Sequence, residues 1–546
     1  MPVPCPRVAA VARARALALA LLVPTLAQGQ RFDVMEATIP GVHAAMRAGR
    51  LTCRQLVQAY LDRIAAYDRQ GPALTAIQTV NPRALVEADS LDAVWRGKGA
   101  RGTLHCVPVL VKDQIETKDM PTTYGSVLFR EFVPRRDATA IRRIRAAGAI
   151  VLAKTTMGEF AQRYLSSAAG IIRNAYDPTR NPSGSSGGSG SAAAANFGLV
   201  ALGEDTGGSI RGPAAVSALV GLRPTLPLVS RFGMLPANPT QDTMGPMTRT
   251  VGDAARLLDV IAGYDPDDPV TAYAVGNVPT TYTSALVPDA LRGARIGVIR
   301  TRRDTVIARP PVPAGDTLAV RRDSIARANA AEFAKVAPLF ERALAELRAL
   351  GAELVDSLSV PPVAGRAIGN DFETEEATDR YFAQHPNAPY RTLKEILLAG
   401  GVNPTRARAL MSYVGKSTRD ADYGAVLQSR EALRIAMLKL MADLRLDAVV
   451  YATYDAPPAP IPADALTNPR AIDGYGRGDN RGLSPLLAWP ALTVPMGFSS
   501  DGLPAGLEFL GRPWSESRLL GFAYAYEQAT KHRRPPATTP PLATTR

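Results

Sequence analysis

The sequence predicts an α/β domain in which strands and helices alternate and pack in layers. Three observations carry that expectation. Short apolar runs of strand length recur at residues 107–111, 149–153 and 199–202, each bounded by turn residues. Segments with apolar residues at helical spacing lie before and between them. A glycine- and serine-rich block at 181–191 leads directly from one packed element into the next, so it does not read as a linker between domains.

In chain order, Thr52 and Gln55 have capping-box spacing. Leu56, Tyr60, Leu61 and Ile64 then continue a helix to Tyr67. A second helix is expected over residues 82–95. The run Val107-Pro108-Val109-Leu110-Val111 is a buried strand ending at Lys112 and Asp113. Residues 138–147 read as a helix stopped by Gly148, and 149–153 as the next strand. Residues 191–197 read as helical, 199–202 as a strand, and Gly207-Gly208 as a tight turn before Ser209. A strand restarts at Ile296-Gly297-Val298-Ile299. Residues 302–323 are charged and proline-containing and are expected to form an exposed insertion. Val336, Phe340, Ala343, Leu347 and Leu350 make a helical stripe closed by Gly351. Residues 446–453 and 492–494 read as later strands and 519–530 as a terminal helix. The last residues, 537–546, are expected to be a disordered tail.

The bulk composition is that of a globular protein: 546 residues, 46% hydrophobic and 21% charged. The net charge of +13 comes from 63 basic residues offset by 50 acidic ones. No basic tract is dense enough for a nucleic-acid stripe and no nucleic-acid motif is present, so no nucleic-acid partner is expected. The start differs from the rest. Arg7, Arg13 and Arg15 precede the apolar run ALALALLVPTLA, and small residues follow near Ala27. The run is too short to span a bilayer comfortably, so no stable membrane anchor is expected. Residues 1–29 have the form of a secretory signal peptide, which predicts an exported protein, periplasmic or secreted, whose main domain covers residues 30–536. Cys53 and Cys106 remain after cleavage and are expected to be free and partly buried. No CxxC, HExxH or clustered His/Asp supports a metal site.

The chemistry concentrates in NPSGSSGGSGSAAAANFGLVALGEDTGGSIRGPAAVSALVGLRPT, which holds Ser185 and Ser209, and in PVLVKDQIET, which holds Lys112. The chain has 4 histidines, none in the block. A serine hydroxyl is a weak nucleophile until a base takes its proton. Lysine serves as that base only when neutral, and burial favours its neutral form. Lys112 ends an apolar run, where such burial is plausible. A second serine provides a relay for the proton. Glycines let backbone N–H groups approach a developing oxyanion closely. A phosphate-binding loop is excluded because GxxxxGK[ST] is absent.

These segments resemble the amidase signature family. The flanks PVLVKDQIETKDMPTTYGS, MGPMTRTVGDAARLLD and VPMGFSSDGLPAGLEFLGRPWSESRLL extend the likeness from about residue 36 to about residue 536, more loosely from 300 to 440. The resemblance implies one large mixed β-sheet flanked by helices on both faces. It implies hydrolysis of a carboxamide through an acyl-enzyme without a cofactor. Residue by residue, it places the nucleophile on Ser209, a bridging serine held by a cis peptide on Ser185, and the general base on Lys112. The oxyanion hole falls on the backbone N–H groups of Thr206, Gly207, Gly208 and Ser209. Ser186 is expected to hydrogen-bond beside the relay, and Asp205 and Arg211 to shape the loop.

Ser183, His105-Cys106 and Thr155-Thr156-Met157 depart from the family pattern, and the last two groups are expected near substrate. The opening and closing segments are similar to peptide-amidase-like bacterial members, which implies a small-molecule or peptide amide substrate. Three rivals stand beside this reading. One is a glutamyl-tRNA amidotransferase A-subunit, with the same three residues but a cytoplasmic task. Another is a related hydrolase of esters, carbamates or fatty amides, and the third is an inactive binding protein on the same fold.

Overall fold

In the computed structural model, the described residues are 1–3, 32–300, 317–361, 372–469 and 479–542. The strands are β1 (Ile77–Val80), β2 (Pro108–Lys112), β3 (Ile150–Thr155), β4 (Leu165–Ser166), β5 (Gly170–Ile171), β6 (Val200–Asp205), β7 (Val220–Arg223), β8 (Thr243–Thr248), β9 (Arg295–Ile299), β10 (Glu353–Leu358), β11 (Ala448–Ala452), β12 (Ala491–Phe498) and β13 (Pro504–Leu510). All but β4 and β5 join one sheet of 11 strands in the order β1-β3-β2-β6-β8-β7-β12-β13-β11-β9-β10. The sheet is mixed: β2 runs parallel to β3 and β6, while β6–β8 and β12–β13 are antiparallel. Every residue of β2, β3, β6 and β8 is buried. Central strands covered on both faces read as continuous apolar runs rather than alternating ones, which is why 107–111 and 199–202 were legible.

Two registers assemble the functional region. In the parallel pair β2–β6, Val111 lies opposite Leu202, so the end of β2 at Lys112 comes level with Gly203 and Glu204. In the antiparallel pair β6–β8, Asp205 lies opposite Thr243, which brings the residue before β8, Asp242, to the same end of the sheet.

The helix over Cys53–Tyr67 carries the expected capping box, with Thr52 and Gln55 bonded reciprocally. The helix expected over 191–197 instead spans Gly187–Ala194 and starts inside the glycine-rich block. That block is glycine-rich for close packing: a Cβ at Gly184 would collide with the Arg163 carbonyl. The long helix Thr317–Ala349 begins within the expected insertion, whose first part, 302–316, lies outside the described residues. So do residues 4–29 of the segment read as a signal peptide.

Two expectations need correction. Cys53 and Cys106 are not free: they form a disulfide with Cα atoms 5.6 Å apart, and both are fully buried. The stretch read as a disordered tail is held against the domain as far as Pro540. Arg63 donates to the Thr539 carbonyl at 2.8 Å and the Pro540 carbonyl at 2.9 Å, and Thr539 is buried. The buried guanidinium of Arg63 needs acceptors, and these tail carbonyls supply them. No described helix is long and apolar enough to cross a membrane.

Candidate active site

Lys112, Ser185 and Ser209 come to one end of the sheet from three elements. Lys112 closes β2, Ser185 precedes the Gly187–Ala194 helix, and Ser209 follows β6 in the turn Thr206-Gly207-Gly208-Ser209. Lys112 Nζ donates to Ser185 Oγ at 2.7 Å, and both residues are fully buried. The Gly184–Ser185 peptide is cis. Ser209 lies on the wall of a cavity of about 430 Å³ together with Ser183, Gly184, Thr206 and Gly207. Its own backbone carbonyl accepts from Ser186 N–H at 3.3 Å. Among the described residues no hydrogen bond reaches the Ser209 hydroxyl, so of the contacts a Ser209–Ser185–Lys112 relay would need, the structure shows the one between Lys112 and Ser185.

Asp205 braces the turn. Its carboxylate accepts from Gly208 N–H at 2.7 Å, Ile210 N–H at 3.1 Å, Arg211 Nε at 3.2 Å and Arg223 Nη1 at 3.2 Å. Burial pushes the Asp205 carboxyl up, but Arg211 and Arg223 outweigh it and hold the group well below the usual carboxylate range. Asp205 and Arg211 therefore shape the loop as expected of them. Gly208 has φ of +112°, a conformation that favours glycine. Its N–H is committed to Asp205, so of the four N–H groups assigned to an oxyanion hole, Gly208's is directed elsewhere. Ser186 Oγ donates to the Glu204 carbonyl at 3.1 Å, directly beside Lys112.

Sequence reasoning missed the acid on the lysine. Glu204 Oε2 lies 2.7 Å from Lys112 Nζ, with both side chains fully buried. This acid stands as a buried partner directly against the Lys112 amine. The available signal was a charged residue closing the apolar run VALGE, the mirror of Lys112 closing VPVLVK. The far wall of the cavity was also missed. Arg481 Nη1 donates to the Gly208 carbonyl at 2.9 Å, and its guanidinium lies 4.6 Å from the Tyr454 ring centre. The Tyr454 and Ser183 hydroxyls are 2.7 Å apart. Nothing local in the sequence links Arg481 to Ser209. Of the departures from the family pattern, Ser183 lines the cavity, whereas His105, Cys106, Thr155, Thr156 and Met157 do not. Cys106 is in the disulfide, and Thr155 Oγ1 pairs with Ser189 Oγ at 2.7 Å under the Gly187–Ala194 helix.

The Amidase family profile matches residues 55–315 and 327–520, which takes in every element just described. The chain belongs to the amidase family. As an amidase, it is a hydrolase acting on amide C–N bonds. It is similar to a probable amidase of Arabidopsis thaliana, 31% identical over 535 residues, with 92% of each chain covered. It is also 33% identical over 522 residues to the A-subunit of the glutamyl-tRNA(Gln) amidotransferase of a Synechococcus species, covering 92% of this chain and 94% of that one. Among solved structures, the peptide amidase of Stenotrophomonas maltophilia superimposes with a TM-score of 0.79 at 36% identity, covering 92% of this amidase and 99% of that chain.

Proposed function

We propose that this amidase cleaves the C–N bond of a peptide or amino-acid amide through an acyl-enzyme on Ser209. The observation that carries the reading is the Lys112–Ser185 hydrogen bond set beside a cavity-lining serine in a glycine turn. Ser209 Oγ attacks the carbonyl carbon and its proton passes through Ser185 to Lys112. The tetrahedral oxyanion is held by the N–H groups of Thr206, Gly207 and Ser209. As the C–N bond breaks, Lys112 returns the proton through Ser185 to the departing nitrogen, and water then releases the acid. No step calls for a cofactor. The likeness to a peptide amidase supports the substrate class, as does a cavity of about 430 Å³ with polar and aromatic walls. The test is ammonia release from amino-acid amides, peptide amides and aryl amides. Release from none of them would overturn the reading, as would release that persists in Ser209→Ala.

Export belongs to the same proposal. The basic, then apolar, then small-residue start motivates it, and the Cys53–Cys106 disulfide supports it, since such bonds persist in oxidising compartments. Export favours hydrolysis over the amidotransferase role of the cyanobacterial relative, because an exported protein meets no aminoacyl-tRNA. A mature N-terminus near Gln28 or Gln30, read by N-terminal sequencing from periplasm or medium, is the expected result. An intact Met1 chain confined to the cytoplasm would overturn it.

A further inference from the structure

The proposed reaction does not use Glu204, yet its side chain is fixed at both oxygens. Oε2 meets Lys112 Nζ at 2.7 Å, and Oε1 meets Thr206 Oγ1 at 2.6 Å. The same Thr206 hydroxyl lies 2.7 Å from Asp242 Oδ1. Thr206 is nearly buried, and both acids are fully so. A hydroxyl has one hydrogen to give, so it donates to only one of two carboxyl oxygens. The other close oxygen pair needs its hydrogen from the acid. One of the two carboxyls is therefore protonated.

Glu204 has Nζ of Lys112 against it at 2.7 Å. Among the described residues, Asp242 Oδ2 takes only the backbone N–H groups of Ala237 at 2.8 Å and Asn238 at 2.7 Å. Arg223, which faces both acids, directs its hydrogen bonds to Asp205 and the Gln241 carbonyl. Burial, then the charge of Glu204, pushes the Asp242 carboxyl well above the usual range.

We infer that Glu204 is a positioning residue for Lys112, held by a protonated Asp242 through Thr206: Asp242 Oδ1–H donates to Thr206 Oγ1, whose hydrogen goes to Glu204 Oε1, leaving Oε2 to accept from the lysine. This rests on the reading of Ser209 as nucleophile. Its consequence lies in the hydrogen count at Nζ. The Glu204 carboxylate and carbonyl, at 2.7 and 3.3 Å, each take one N–H. The third direction faces Ser185 Oγ at 2.7 Å. On the neutral amine that direction is the lone pair, aimed at the hydroxyl whose proton it must accept. On the ammonium it is the N–H that returns the proton. One set of contacts thus serves both halves of the cycle.

The experiment measures covalent labelling of Ser209 by a fluorophosphonate, which reads the relay without the natural amide, alongside the infrared spectrum of the resting protein. Glu204→Ala, shown folded by circular dichroism, is expected to slow labelling about tenfold or more, less than the roughly 10²–10⁴-fold of a group that itself moves the proton. Glu204→Gln, which keeps shape and an acceptor, recovers part of the loss. Asp242→Ala slows labelling similarly, and Asp242→Asn, whose NH₂ donates to Thr206 as the acid does, restores most of the rate. The wild type minus Asp242→Asn difference spectrum shows the carbonyl band of a buried protonated carboxyl, free of the bands of other buried acids such as Glu527, and the same difference appears when both proteins carry Glu204→Gln. Folded Glu204→Ala labelling within about twofold of wild type would overturn the inference, and so would a difference spectrum without that band. A wild type that takes no label condemns Ser209 as nucleophile instead, and the infrared arm still decides where the proton sits.

Discussion

Replacing Asp205 by asparagine removes one negative charge and little volume, so its effect measures what the buried carboxylate does. Two guanidiniums lean on that carboxylate. Arg211 keeps a second acid, Glu508, but Asp205 is the only carboxylate paired with Arg223 among the described residues. Removing one partner of a buried pair costs about 3–5 kcal/mol, because the other charge stays buried without compensation. The asparagine also sets an NH₂ group where Gly208 N–H, Ile210 N–H or a guanidinium now donates, so it offers a donor to a donor. Against a native stability of about 5–15 kcal/mol, the loss is a large fraction. Urea titration followed by circular dichroism at neutral pH measures it, and fluorophosphonate labelling reads whether the Ser209 turn keeps its place. The pH sign is fixed. The folded-state carboxyl lies below its ordinary value of 3.8, so the contribution is fully present above that value and fades as the pH falls below it. The wild-type and variant curves therefore converge on acidification. A variant within about 1 kcal/mol of wild type at neutral pH, labelling at the wild-type rate, would refute the claim that this double ion pair holds the turn.

Three further outcomes are expected. Ser209→Ala, Ser185→Ala and Lys112→Ala each lower amide turnover by orders of magnitude, and their combinations lose little more, because the three act as one unit; steady-state kinetics on a series of single and double variants checks this. The Cys53→Ser/Cys106→Ser double variant loses about 4 kcal/mol relative to the oxidised protein, from a loop whose ends are 53 residues apart, and matches the reduced protein in urea titration. Burial pushes Glu527 up to about 7, so the folded state holds its proton more tightly than the unfolded chain and stability falls as pH rises from about 4.5 through 7. The full shift corresponds to about 3 kcal/mol, which the partial exposure of the side chain reduces to about 1–2. Glu527→Gln is thus neutral near pH 4 and stabilising at pH 8 in thermal unfolding.

The central strands were legible because double-sided burial leaves a continuous apolar run, and the run's last residue marks where the strand meets the site. Lys112 was singled out for that reason, and the structure places it buried at the end of β2. Ser185 and Ser209 were legible through the glycines around them, since close backbone approach restricts the residue type. Asp242 and Arg481 were not, because they reach the site through the register of β6 with β8 and through a segment far along the chain. Pairing of that kind leaves no local pattern. The disulfide was missed for a related reason. Cys53 opens a helix and Cys106 precedes β2, and only the packing of that helix against the sheet brings their Cα atoms to 5.6 Å. The tail was read as disordered from its composition, whereas the Arg63 guanidinium, which holds it, lies in the Cys53–Tyr67 helix, far along the chain.

The charges buried around the site give an independent reason for the proton on Asp242. Lys112, Arg211 and Arg223 are fully buried basic groups, and four buried carboxyls lie against them or one hydroxyl away: Glu204, Asp205, Glu508 and, through Thr206, Asp242. Isolated charge in such a place is expensive, and an excess acid responds by binding a proton. Three of the four acids touch a cation: Glu204 the lysine, Asp205 both arginines, and Glu508 Arg211. Asp242 alone touches none among the described residues, so it is the acid whose charge has least compensation and the one placed to hold the proton. The same placement explains why a carboxylate sits against the lysine proposed as the base. When Lys112 accepts a proton in that reaction it becomes a buried ammonium, and Glu204 supplies the counter-charge at that moment.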